Sequence, residues 1–192
     1  YENNNFGRLI IKEYPTGSAS VVTLRNHLEK LAMKDFIPNL IIIDYADIMR
    51  STRSYDSLRH ELKLIYEELR NLAMEMKIPV WTASQANREA ANADVVGLDN
   101  MAEAYGKAMI ADVVVSLSRK QLEKATGAGR LFVAKNRAGK DGILFPVRID
   151  CSKSKITVID DPSELSAIEI LESKNTGTKD MLKSKWKEIT GK

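Results

Sequence analysis

Leu40-Ile41-Ile42-Ile43-Asp44-Tyr45 is the stretch whose reading decides the fold. The run from Leu40 to Ile43 is continuously apolar and largely β-branched, with no polar alternation. Such a run suits a strand covered on both faces, as in a parallel α/β sheet. Asp44 comes directly after it and so falls at the carboxyl edge of that strand, where open α/β sheets bind their ligands. In phosphate-handling folds an acid placed there holds Mg²⁺, usually through water. The competing reading is an ordinary cap or turn aspartate.

Upstream, Pro38-Asn39 ends a helix expected over residues 23–34, where Leu24, Leu28 and Leu31 recur at i, i+4 and i+7. Before it, residues 8–14 predict a short strand closed by the turn signal Pro15-Thr16-Gly17. Downstream, residues 50–57 are a polar loop. A long helix is expected over about 56–77, its apolar stripe formed by Leu58, Leu62, Ile65, Leu69, Leu72 and Met76. Pro79 introduces a strand, Val80 to Ser84. Residues 85–98 are Asn-rich and aperiodic, a loop, and 99–110 are compatible with a helix.

Val113-Val114-Val115 forms another strand core, and 119–130 reads as a connector, helical at most in part. Residues 131–135 and 143–145 flank Asn136 to Gly142 as a hairpin. Pro146 cannot donate to a ladder and suggests an edge or an irregularity. A last strand spans 155–159, a capped helix start lies at Asp161-Pro162-Ser163-Glu164, and a tail helix is expected over 178–190. The expected architecture is α/β: a mostly parallel sheet with flanking helices, finished by an antiparallel β appendage.

The 192 residues, 44% apolar and 29% charged, fit one soluble domain with a tail. No apolar run is long enough to span a membrane, and nothing near Tyr1 resembles a signal peptide. A single cysteine, Cys151, excludes an internal disulfide, and with two histidines sharing no motif it excludes the common Cys/His zinc sites. The expected location is the cytoplasm. The net charge of +3 is too small to argue for nucleic acid alone. It is unevenly placed: residues 174–192 carry +4 and residues 1–173 carry −1. That basic tail suits either DNA or partner contact, or a packed helical pair.

Two further positions carry chemistry. In Thr82-Ala83-Ser84-Gln85 a strand ends in polar groups, and Gln85 is suited to hydrogen-bond a γ-phosphate or orient water; a plain polar strand end is the alternative. In Lys135-Asn136-Arg137 two cations two residues apart suit a phosphate in their own subunit or a neighbour's; a solvated hairpin tip is the alternative.

Together and in this order these segments resemble the RecA-like motor domain of DnaB-type replicative hexameric helicases, bacteriophage members in particular. The carriers are Leu40 to Met49, Leu72 to Arg88, Ala111 to Val115 and Phe132 to Gly139, and the resemblance covers roughly residues 8–160. It implies a partial RecA-like ATPase domain over 1–160 and a helical basic tail over 161–192. It implies ATP and Mg²⁺ as cofactors, with Asp44 as the metal-holding Walker B aspartate. Ser84 and Gln85 lie beside the nucleotide, Gln85 as γ-phosphate switch. Arg137 is implied as an arginine finger reaching the adjacent subunit's ATP, with Lys135 as its companion. The family's DNA-binding loops fall at about 50–56 and 86–105, where Arg50, Arg53 and Arg88 are placed to meet phosphates. The family's usual Arg-Glu-Ser-Gly is replaced here by Met101-Ala102-Glu103-Ala104-Tyr105-Gly106. The implied partners are single-stranded DNA, five further copies in a ring, and a primase or helicase loader, in a bacterial host's cytoplasm if phage-encoded.

A phosphate-binding loop needs Gly-x-x-x-x-Gly-Lys-Ser/Thr, and no two of the ten glycines are five apart. The expectation is that Tyr1 begins partway through the motor domain, past that loop and the catalytic glutamate, so that this chain alone is inactive. The alternatives are another RecA-like ATPase, of recombinase or clock type, or a non-catalytic interaction domain without a phosphate loop.

Overall fold

The computed structural model describes residues 7–87, 95–98, 105–120, 123–124 and 126–159. Arg88, most of the expected loop around it, residues 99–104 of the helix expected over 99–110, the helix start at Asp161 and the tail helix over 178–190 lie outside the described residues. The chain divides into two compact units, Tyr1–Ser84 and Gln85–Lys192.

The first unit starts from helix α1, Val21–Ala32. Ser20 caps it: the Ser20 side chain accepts from the Thr23 amide and Thr23 Oγ1 accepts from the Ser20 amide, a reciprocal box that satisfies two otherwise unpaired donors. Strand β1, Ile41–Ile43, pairs in parallel with strand β2, Val80–Thr82, in the register Ile41–Val80, Ile42–Trp81, Ile43–Thr82. Between them runs helix α2, Leu58–Met76, which buries Leu62, Ile65, Tyr66, Leu69 and Leu72 at spacings of three and four. Each such side chain contributes about 1.5–3 kcal/mol on leaving water. The expected stripe is therefore right, except that its ends shift: Leu58 is exposed and Tyr66 is in. Lys77 ends α2 in the left-handed region at φ 55°, and Pro79 then feeds β2.

Two expectations for this unit are corrected. Residues 8–14 form no strand; Leu9 and Ile11 are exposed, and the segment is held by side chains instead. Arg8 Nη2 donates to the Asp35 carbonyl at 2.7 Å with its guanidinium over the Phe36 ring, and Tyr14 meets His27 edge-on. A β-branched composition makes a strand only where a partner offers a ladder. The second correction concerns β1. Its parallel pairing is as expected, but Ile42 is 72% exposed and its register partner Trp81 62% exposed, so one face of the pair is open in this chain.

The second unit opens with the short helix α3, Tyr105–Ile110. An antiparallel sheet comes next, in the order β3 (Val113–Ser118), β4 (Ala128–Asn136), β5 (Ile143–Asp150), β6 (Lys155–Val158). Residues 137–142 close the expected hairpin between β4 and β5. A bulge between Val114 and Val115 shifts the register of β3 on β4. Pro146 is not on an edge strand, since β5 lies between β4 and β6. It is tolerated because the β6 ladder ends at the pair Val147–Val158; one residue further, Pro146 only has to accept, from the Ile159 amide at 2.9 Å.

Strand β4 begins three residues earlier than the apolar pattern indicates, and two glycines make this possible. Gly127 adopts φ +72°, and a Cβ on Gly129 would stand 2.7 Å from Ile149 Cδ1 and 3.2 Å from the Ser118 carbonyl. At the same end, Glu123 is 3% exposed; it pairs with the Arg130 guanidinium and accepts from the Lys120 amide at 2.5 Å.

Candidate functional site

The parallel ladder stops at Ile43–Thr82, and beyond it two loops leave the same edge, carrying Asp44 on one and Ser84 and Gln85 on the other. Side chains join these loops where the ladder ends. Thr82 Oγ1 accepts from the Ala46 amide at 2.9 Å and donates to the Ile43 carbonyl at 3.1 Å. Asp47 lies in the 3₁₀ turn Ala46–Ile48. Its Oδ1 accepts from Tyr66 Oη at 2.9 Å and its Oδ2 from Ser84 Oγ at 3.1 Å. Burial, then the charge and hydrogen bond of Asp47, push the Tyr66 hydroxyl well above its ordinary range. The backbone fixes the β1 loop from the other side, with Gly17 donating to Ile48 and Arg50 to Ala19 through their amides. Asp44 is exposed, beside a cleft of 960 Å³ bounded by residues 7–16, α1 and β1.

Sequence reasoning placed Asp44, Ser84 and Gln85 at this edge but passed over Asp47 and Tyr66. Tyr66 stands four residues after Leu62, inside the stripe already recognised, so its burial was legible. Its hydroxyl partner was not, because Asp47 is 19 positions away.

The loop over 50–57 is laid along α2 by two glutamates. Glu68 accepts from Thr52 Oγ1, while Glu61 Oε1 accepts from the Tyr55 amide at 3.0 Å and Ser54 Oγ at 3.4 Å. The neutral polar groups are thus engaged, and Arg50 and Arg53 remain exposed on the loop. Arg88, the third candidate cation, lies outside the described residues.

Lys135 and Arg137 converge on the carboxyl end of α3. Lys135 Nζ donates to the carbonyls of Ala108 and Met109 at 2.9 and 3.0 Å. Arg137 Nη2 donates to the Met109 carbonyl at 3.4 Å, and its Nη1 pairs with Asp112 at 2.9 Å. Cations there complement both the unpaired carbonyls and the helix dipole. The Arg137–Asp112 pair has side chains 50% and 57% exposed, so it is worth at most about 1 kcal/mol and gives way readily.

Among the described residues no three His, Cys, Asp or Glu side chains gather around a metal position. An exposed single carboxylate such as Asp44 fits Mg²⁺ nonetheless, since that ion keeps several waters and takes one or two carboxylates together with phosphate oxygens. No helix among the described residues is long and apolar enough to cross a membrane.

The DnaB-like helicase C-terminal domain family matches residues 4–155. The chain belongs to that family. It is 38% identical over 124 residues to the DnaB-like replicative helicase of Enterobacteria phage T4, covering 60% of this chain and 25% of that one. It is 28% identical over 150 residues to a probable replicative DNA helicase of Trieres chinensis, covering 73% of this chain and 33% of the relative. The chain therefore spans about a quarter to a third of these relatives. Two solved structures share its fold at 19% identity. A DnaB-like replicative helicase, described with its interactions with primase, superposes with TM-score 0.61 over 69% of this chain and 34% of its own. A solved ATPase domain superposes with TM-score 0.65 over 74% and 52%. The fold of this DnaB-like chain is accordingly RecA-like.

Proposed function

We propose that this DnaB-like chain is part of the ATP-driven motor of a replicative DNA helicase, which unwinds duplex DNA by moving along one strand. The observation that carries the reading is the strand-end pair: Asp44 and Ser84 leave the same carboxyl edge of a parallel ladder, in a chain of this family. On this reading Asp44 holds Mg²⁺ through water, and the ion neutralises charge on the nucleotide's phosphate oxygens. Ser84 and Gln85 lie on the nucleotide side, with Gln85 sensing the γ-phosphate. Arg50 and Arg53 grip DNA phosphates, helped by Arg88.

Arg137 acts as the finger on a neighbouring copy's ATP, with Lys135 fixing the backbone that carries it. To reach a neighbour, Arg137 exchanges Asp112 for phosphate oxygens, an exchange made easy by the exposure of the pair. Assembly into a ring of six and contact with a primase or helicase loader belong to the same proposal.

The test is Arg137→Ala in the complete motor, read by ATPase kinetics. The expected result is a fall in kcat of about a thousandfold with KM nearly unchanged, as for loss of an arginine finger. The activity should return when Arg137→Ala subunits are mixed with Asp44→Ala subunits, because each supplies what the other lacks at their shared interface. Full turnover by Arg137→Ala alone overturns the finger assignment. The 192-residue chain by itself is expected to show no ATPase, and metal-dependent turnover by it would contradict that.

A further inference from the structure

Beyond the ladder, the β1 loop and the β2 loop are no longer joined as paired strands. The last register pair is Ile43–Thr82, and the β1–β2 ladder ends there. Among the side chains that join the two loops, one carboxylate reaches both ways. Asp47 uses Oδ1 for Tyr66 Oη and Oδ2 for Ser84 Oγ, so a single side chain is fastened to α2 on one side and to the β2 loop on the other. Both bonds are charge-assisted, the stronger class of hydrogen bond. Tyr66 is 8% exposed, so its hydroxyl has little water to fall back on if Asp47 leaves. Tyr66 Oη also lies 3.4 Å from the Ala83 carbonyl, which brings the same hydroxyl against the β2 loop. Thr82 adds a second bridge from β2 to Ala46, the residue before Asp47.

We propose that Asp47, fastened between Tyr66 Oη and Ser84 Oγ, is a positioning residue that makes the Asp44 end of β1 and the Ser84–Gln85 end of β2 move as one body. The assignment rests on the motor reading for its purpose: a displacement produced where Gln85 meets the γ-phosphate is passed through Ser84 and Asp47 to the loop that holds the metal and, three residues beyond Asp47, to Arg50. α2 supplies the fixed post against which the carboxylate turns. Asp47 touches neither nucleotide nor metal on this account and acts only through its neighbours.

Two measurements test it. In the 192-residue chain, amide hydrogen exchange is monitored at Ala46–Met49 and Ala83–Gln85, with α2 around Leu69–Leu72 as the internal control. Ser84→Ala removes the bond from the β2 loop to Asp47 and leaves the Tyr66–Asp47 bond in place, so it is the deciding variant; Tyr66→Phe keeps the ring and removes the bond to Asp47 together with the contact to the Ala83 carbonyl. Either change is expected to lower protection in both loops in step, by about tenfold, the loss of one charge-assisted hydrogen bond, while α2 is unaltered. If only the mutated side loosens, or if α2 loosens equally, the coupling role is overturned.

In the complete motor, Tyr66→Phe is expected to keep basal ATPase and to keep KM for ATP within about twofold, while stimulation by single-stranded DNA falls by about fivefold. Basal and stimulated rates falling together would mark Tyr66 as merely structural and overturn the proposal. If the unmodified motor shows no DNA-stimulated ATPase, the motor reading fails, and the exchange measurement still decides whether Asp47 couples the loops.

Discussion

Tyr66 illustrates how one buried hydroxyl reports on its neighbours. Its ionisation is displaced upward by burial first and by Asp47 second. A tyrosine whose proton is held more tightly in the folded state stabilises the fold fully below the unfolded value of about 10, and that contribution is lost as pH rises beyond it. Spectrophotometric titration should therefore leave one tyrosine un-ionised until the chain unfolds in alkali, and Tyr66→Phe should abolish that component and extend stability to higher pH. Glu123 is the counterpart in the second unit. Glu123→Ala removes a nearly buried carboxylate that pairs with Arg130 and accepts from the Lys120 amide; a loss of about 3 kcal/mol is expected from the denaturant midpoint.

Residue types at strand ends were readable in the sequence because the last apolar position of a strand locates the polar residue just beyond it. Asp44, Ser84 and Arg137 were placed just past strand ends that way, while Lys135 falls inside β4. Asp47, Tyr66 and Asp112 were not assigned roles, since each acquires its meaning from a partner on a different element.

At the scale of elements, the strongest periodic patterns were also the most accurate. The stripe from Leu62 to Leu72 gave α2 and the run from Ile41 to Ile43 gave β1, because each is an apolar surface that folding must cover or pair. Residues 8–14 and the edge reading of Pro146 misled for a common reason: strand composition says nothing about which neighbours supply the ladder or where it ends. Ser20 is a simpler case. The box it forms with Thr23 leads to the expectation that Ser20→Ala costs about 1 kcal/mol, seen as a lower thermal midpoint with unchanged helix content at low temperature. The loop over 50–57 owes its course to Glu61 and Glu68. Replacing both by alanine should preserve α2 yet loosen the loop, seen as lower amide-exchange protection over residues 50–57. Replacing Arg50 and Arg53 by alanine should instead reduce the slope of log affinity against log salt by about 0.7 per lost contact on single strands.

Across the whole chain, the +3 charge divides into a core at −1 and a tail at +4. On the proposed motor reading, affinity for DNA in residues 1–173 comes from a few loop cations, repeated wherever several copies act together. Deleting residues 174–192 separates the two readings of the tail: a phosphate-contacting tail lowers the salt slope when removed, and a packing tail lowers the melting temperature instead.

The open face of the β1–β2 pair gives the chain its own optical probe. Trp81 stands beside Ile42 on that face, largely in water, three residues before Ser84. Its emission will lie to the red while the face is wet and move to the blue whenever anything covers it. With Trp186→Phe removing the only other indole, a single wavelength reads whether this sheet face has been dried, with no label attached to the protein.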